Sequence, residues 1–365
     1  MKQLQRIAYI IYWNDAAESG VMKKVKSTCL AWRTLGVEVD IFLLTKNRTL
    51  AKDLSSQNDY SVNIHIFLFR SFIGKIFRFR SLVNHVLKLN ATAIYFRYQP
   101  FLPGFFKLSR KSKVFIEING DDLIEIRQRS KLKYVIVKLT RNLMFSNAAG
   151  LIFVTHALSN HPHFRQSTAP RLVLANGISL SDYADMQPSA KGLNAKPMLV
   201  FIGSEGQNWH GVDKILVMAE IFKDWQFTVI GLEKSYFHSP PANINFTGFL
   251  QKESYSSIMQ RADIGIGSLA LYRKQMYEAC PLKVREYLAY GLPVIIGYRD
   301  TDFMDGASFI LELENRKENI KNNVDLITQF VGQWKGKKVP RNRINKLDIL
   351  EKEKQRLAFL AQHLA

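Results

Sequence analysis

Cysteine is nearly absent: Cys29 and Cys280 are the only two in 365 residues. A disulfide framework is therefore excluded, and neither thiol has the nearby Cys or His partners of a structural zinc site. No apolar run reaches the roughly 18 residues that span a bilayer, and no secretory leader pattern is present. These absences predict a cytoplasmic protein, soluble or peripheral on the inner face of the cell membrane. Proline is sparse, at 11 residues against 47% hydrophobic residues, which excludes a mainly disordered chain and provides core for two domains.

Acidic residues are missing over one long stretch. None occurs between Asp59 and Glu117, where Arg70, Lys75, Arg78, Arg80, Lys88, Arg97, Lys107, Arg110, Lys111 and Lys113 all fall. Residues 1–170 hold 26 Lys and Arg against 10 Asp and Glu, leaving +16, whereas residues 171–365 hold 25 against 21, leaving +4. The first half thus expects an anionic partner. No nucleic-acid reading motif accompanies the charge, so nucleic acid is the least favoured partner class.

The most informative stretch runs from Ala262 to Gly297, ADIGIGSLALYRKQMYEACPLKVREYLAYGLPVIIG. It reads as a βαβ unit: a strand near Ile264 to Ser268, a polar loop, a helix opening at Pro281 and a strand at Pro293 to Ile296. Pro281 suits the first helical position, and Gly291 with Pro293 marks the stop. Lys283 in the first turn is unfavourably placed by about 0.3–1 kcal/mol against the helix dipole. A bound phosphate would resolve that conflict, because free N–H groups and a lysine together make an anion site. Glu286, one turn on, would offer a carboxylate to a neighbouring hydroxyl. Phosphate plus hydroxyl points to a nucleotide; the alternative is an exposed Lys283–Glu286 pair.

Glu278 precedes Glu286 by eight residues. That spacing, with the string PLKVREYLAYGLPV, resembles the E-x7-E signature of retaining GT-B glycosyltransferases, glycosyltransferase family four in particular. The resemblance implies two doubly wound α/β Rossmann-like domains facing a cleft, with a C-terminal helix returning to the first domain. It implies a hexosyltransferase that moves a sugar from a nucleotide-diphosphate sugar to a glycan or lipid-linked acceptor, in surface polysaccharide or glycolipid assembly, without metal or other cofactor. Glu286 would bind the nucleotide ribose and Glu278 the donor sugar. Pro281, Leu282 and Lys283 would hold the diphosphate, and Gly248, Phe249 and Leu250 the base. Where the family places an arginine and a lysine on the diphosphate, this chain has Gly203-Ser204 and His210-Gly211. Lys283 is the first candidate to supply the missing charge, and Lys214 and Arg285 are weaker ones.

The domains implied are 1–181 for the acceptor, a linker at 182–197 that is polar with Gly and Pro, 198–339 for the nucleotide sugar, and 340–365 as the returning helix. Strand RIAYIIYW, a loop with Ser19-Gly20, a helix and strand VEVDIFLLT open the first domain. Gly20 either approaches the donor phosphates or makes an ordinary turn. Residues 71–89 read as a basic amphipathic helix, with Phe72, Ile76 and Phe79 near one face; it lies on an anionic membrane or packs on the sheet. Arg97 ends one strand and FIEINGDD another, putting Glu117, Asn119 and Asp121 at carboxyl ends, where ligands bind. Asn119 stands where the family often has a histidine. Glu117 or Asp121 orients an acceptor, acts as base, or caps a helix. Asn176-Gly177 resembles a family turn but also fits an ordinary one. His156, His161 and His163 are read as surface or core residues. A nucleotide-sugar epimerase of the same fold and a non-catalytic scaffold are the alternatives.

Overall fold

The computed structural model describes residues 4–56, 62–123, 126, 130–165, 167–183 and 194–364, the side chain of Lys133 excepted. They form two units, Met1–Ala175 with Ile349–Ala365, and Asn176–Asp348. Most of the polar segment expected as linker, 184–193, lies outside the described residues. Residues 176–183 belong to the second unit because Leu180 and Tyr183 enter its core and the Ile178 N–H donates to Leu347. Ile344 and Leu347 lie in the same core, so only the helix from Ile349 joins the first unit. No helix among the described residues is long and apolar enough to cross a membrane.

The first unit runs β1 (Arg6–Tyr12), α1 (Gly20–Thr34), β2 (Glu38–Thr45), α2 (Arg48–Ser56), β3 (Asn63–Leu68), α3 (Phe72–Lys88), β4 (Ala93–Arg97), α4 (Phe105–Lys111), β5 (Val114–Ile118), α5 (Lys131–Ser146), β6 (Gly150–Phe153), α6 (His156–Asn160) and β7 (Arg171–Val173). The sheet order is β3-β2-β1-β4-β5-β6-β7, parallel throughout. Strands buried on both faces explain the near-continuous apolar runs. Ile7, Tyr9 and Ile11 of β1 meet α1, α2 and the last helix, whereas Ala8 and Ile10 meet α3, α4 and α5. On α3, Phe79, Leu82, Val83 and Val86 face that core. Phe72 lies in the first turn and stays exposed, so the expected apolar face is occupied only from Ile76 onward.

The second unit runs β8 (Met198–Ile202), α7 (Val212–Ile221), β9 (Gln226–Ile230), β10 (Ile244–Phe246), α8 (Lys252–Arg261), β11 (Ile264–Ile266), β12 (Glu278–Ala279), α9 (Leu282–Ala289), β13 (Val294–Ile296), β14 (Arg299–Asp300), β15 (Ile310–Glu312) and α10 (Val324–Trp334). Its main sheet has the order β10-β9-β8-β11-β13-β15, again parallel, with β12-β14 as a separate pair. The order reverses between β8 and β11, and ligands of doubly wound sheets bind beyond the strand ends at such a reversal. The last helix, α11 (Ile349–Gln362), packs in the first unit, where Glu353 accepts from Trp32 Nε1 at 2.7 Å.

Candidate functional site: an anion site in the second unit

Glycine backbones build the floor of the site. The loops after β8, β9 and β10 are stitched by Gly203 N–H to the Ile230 carbonyl (2.9 Å) and Gly231 N–H to the Gly248 carbonyl (2.7 Å). A Cβ on Gly231 would lie 2.1 Å from the Gly203 oxygen, so only glycine permits the approach. Gly248 has φ +67°, and Phe249 beside it is exposed while Leu250 is half-buried. Gly231 was not foreseen, because glycine after a strand is common and carries no side-chain signal.

The helix α9 opens as the βαβ pattern predicts, with one adjustment: Pro281 is the N-cap residue, extended at φ −69°, and the helix begins at Leu282. Proline has no side-chain acceptor, so no side chain caps this helix. Its N-terminus keeps the partial positive charge that favours an anion. Lys283 Nζ lies 4.4 Å from the centre of the Phe201 ring, at the carboxyl end of β8. That nitrogen is sealed from solvent and makes no hydrogen bond, although part of its stem reaches the surface. Burial pulls its pKa down to about 7. An unmet buried amine costs stability, and a buried polar group without a partner calls for an explanation.

His210 packs on Phe201 as well, its ring centre 5.6 Å from that of the phenyl ring, and its Nδ1 is also buried without a partner. Burial, with Lys283 and Lys274 adding to it, lowers its pKa to about 3. His210 is therefore neutral at physiological pH and cannot replace a missing cation. Ser204 is exposed next to Gly203.

Glu286 lies one turn along α9. Its Oε1 accepts from Tyr255 at 2.8 Å and from Tyr183 at 3.5 Å. The alternative of a Lys283–Glu286 pair is not formed, since Lys283 Nζ has no partner. Glu278 sits in β12, in register with Arg299 and buried. The two weaker cation candidates are engaged elsewhere. Arg285 makes a buried two-pronged pair with Asp300 at 2.6 and 2.9 Å, plus Asp302 at 2.9 Å. Lys214 donates to the carbonyls of Arg316 and Lys317 and to Asn319 Oδ1. Their partners, which sequence position does not reveal, set these two cations apart from Lys283.

In the first unit the predicted residues gather at the carboxyl ends of β4 and β5. Glu117 is 1% exposed and accepts from Lys24 at 2.6 Å, Tyr9 at 3.2 Å and Arg97 at 3.3 Å, with Arg356 of α11 at 3.6 Å. Lys24 also donates to Asn119 Oδ1 at 2.8 Å. Burial alone would raise the Glu117 pKa, but Lys24, Arg97 and Arg356 outweigh it and hold the carboxyl well below the usual range. The carboxylate is thus held ionised and engaged by three cations, an arrangement that favours a structural ion pair over proton uptake at neutral pH. Lys24 and Arg356 were missed because charge periodicity does not reveal which cations the fold turns inward.

Asp121 accepts from Arg141 at 2.8 Å and from His163, with His161 at 3.2 Å, and its Oδ1 also accepts from the Leu123 N–H at 3.1 Å. That last bond closes an Asx turn, and the segment Asp121 was expected to cap lies largely outside the described residues; the side chain is nearly buried, which leaves little of it for an acceptor. Asp121, His161 and His163 are the one trio among the described residues whose ligand atoms could hold a metal ion. Arg141 already supplies the cation there. Gly20 is the exposed first residue of α1, whose N-cap Ser19 accepts from the Met22 N–H at 3.4 Å.

The fold and the loop around α9 define a class. Residues 196–324 match the model of the family described as glycosyl transferases group 1. Those residues carry that family's sequence pattern, and the two-unit architecture is the GT-B fold of the solved structures it resembles. Among solved structures, it resembles a glycosyltransferase from Rickettsia africae, with TM-score 0.70 and 12% identity over 99% of this chain and 98% of that one. HepE of Anabaena, solved in complex with UDP, gives 0.66 and 12% over 98% and 100%. The UDP-GlcNAc 2-epimerase of Neisseria meningitidis, bound to UDP-GlcNAc, gives 0.58 and 12% over 98% and 100%. No curated protein sequence matches the chain.

Proposed function

We propose that the protein is a retaining hexosyltransferase that takes a sugar from a nucleoside-diphosphate sugar and passes it to an anionic glycan or lipid-linked acceptor. The carrying observation is Lys283 Nζ, sealed and unpartnered beside the uncapped N-terminus of α9. A diphosphate there would receive the helix N–H groups and a lysine that takes up a proton as the anion enters. Both stabilise the charge that develops on the leaving diphosphate, the role electrostatics fills in most group transfers. Glu286, already oriented by two tyrosine hydroxyls, is assigned to the ribose, and Glu278 to the donor sugar. No metal is needed for this scheme. Retention follows from attack on the face the diphosphate leaves, so no covalent nucleophile is required.

The acceptor is assigned to the first unit by the net positive charge of residues 1–170, in surface polysaccharide or glycolipid assembly at the inner face of the cell membrane. The test is release of nucleoside diphosphate from a panel of nucleotide sugars with and without glycan acceptors. Release that depends on acceptor supports transfer. Conversion of the donor alone supports the epimerase reading, which the similarity to UDP-GlcNAc 2-epimerase favours.

Glu286→Ala is expected to weaken nucleotide-sugar binding by about tenfold to a hundredfold, since a hydrogen bond to a charged group contributes about 1.5–3 kcal/mol. Calorimetry checks it; parent-like affinity would remove Glu286 from the site.

A further inference from the structure

Helix α5 turns an apolar stripe away from the core. Leu132, Val135, Ile136, Leu139 and Leu143 recur along one face and are 50–74% exposed, while Val137, Arg141, Met144 and Phe145 are buried. Single exposed leucines are ordinary, but a continuous stripe marks an interaction surface. Phe72, Ile73 and Phe77 in the first two turns of α3 are exposed as well. Helices α3, α4 and α5 pack on the same face of the sheet, so these residues belong to one helical layer.

The charge of that layer has one sign. Helices α3, α4 and α5 carry four, three and four Lys or Arg residues, and no Asp or Glu. Lys131 and Lys138 are exposed on α5 itself. No acidic residue occurs anywhere between Glu125 and Asp182.

We propose that α5 is an interfacial helix that seats the first unit on the anionic leaflet of a lipid bilayer. Its leucine stripe enters the boundary between headgroups and acyl chains, and the exposed cations of the layer, such as Arg78, Arg80, Lys131 and Lys138, meet the lipid phosphates. A second copy of the chain on this face would set cations against cations, which disfavours self-association. The inference builds on the membrane location under Proposed function and is independent of the donor site.

The experiment uses the full chain with vesicles of phosphatidylcholine, alone or mixed with phosphatidylglycerol. The parent is expected to cosediment with the mixed vesicles, about tenfold more weakly or not at all with the neutral ones, and less at high salt. Leu132→Glu combined with Leu139→Glu should lower binding to mixed vesicles by about tenfold or more. Its melting temperature and its thermal response to UDP should match the parent's, so failure of the membrane surface is separable from failure of the donor site. Should the variant fold poorly, Leu139→Trp gives a second reading: its added fluorescence should be quenched by brominated acyl chains in mixed vesicles. Parent-like vesicle binding by the double variant, no binding by the parent, or no added quenching in Leu139→Trp overturns the proposal. So does a parent dimer that the double variant dissociates.

Discussion

Lys283→Met should raise the melting temperature of the free protein and abolish its response to nucleoside diphosphates. The two effects have one cause. The Lys283 amine is buried with no hydrogen-bond partner, so methionine of similar length removes an unmet polar group while keeping the contact with Phe201. The gain is about 1–3 kcal/mol, read as a shift of a few degrees, since 1 kcal/mol is worth about 2–4 °C for a unit of this size. What is lost is the cation proposed to meet the diphosphate.

The same group predicts a pH profile. Burial lowers the Lys283 pKa from an ordinary 10.5 to about 7. The unfolded chain therefore binds the extra proton between those values, and stability from this residue rises as pH increases from about 7 to 10.5. Ligand affinity has the opposite slope. An anion favours the protonated amine, so binding weakens as pH rises above about 7, by up to about tenfold per pH unit. In Lys283→Met both slopes should be flat. Calorimetric titration with UDP across this range checks the prediction, and parent-like affinity and slope in the variant would show that the anion site lies elsewhere.

Glu117→Gln is expected to destabilise the first unit by about 3–5 kcal/mol, the cost of stripping one partner from a buried ion pair. Lys24, Arg97 and Arg356 would then face one another around a neutral amide. The Glu117 pKa is held far below its ordinary 4.5, so its contribution is full above that value and is lost as pH falls below it. Calorimetry should show the unfolding of the first unit moving to lower temperature, with the response of the second unit to nucleoside diphosphate retained. A variant that keeps its melting temperature and loses turnover alone would restore Glu117 as a group acting in the reaction.

Much of this could be read along the chain. The apolar runs flanked by glycine gave strands and turns at nearly their observed places, because parallel strands buried on both faces need uninterrupted Val, Ile, Leu and Phe. Lys283 was conspicuous because a cation in the first turn of a helix opposes the dipole. Position in sequence made Arg285 a weaker candidate, and Arg285 is locked onto Asp300 at the end of β14 and Asp302 in the turn after it. Glu117 looked accessible at the end of a strand, and only the return of α11 and the inward turn of Lys24 showed it enclosed.

By itself the sequence determined the parallel α/β architecture and the start of a helix beside Pro281, since periodicity and the chain-stiffening effect of proline are local. Tertiary structure alone decided which cations are free to bind. A side chain's availability depends on partners tens or hundreds of residues away, as Trp32 and Glu353 show, and no local pattern encodes that pairing.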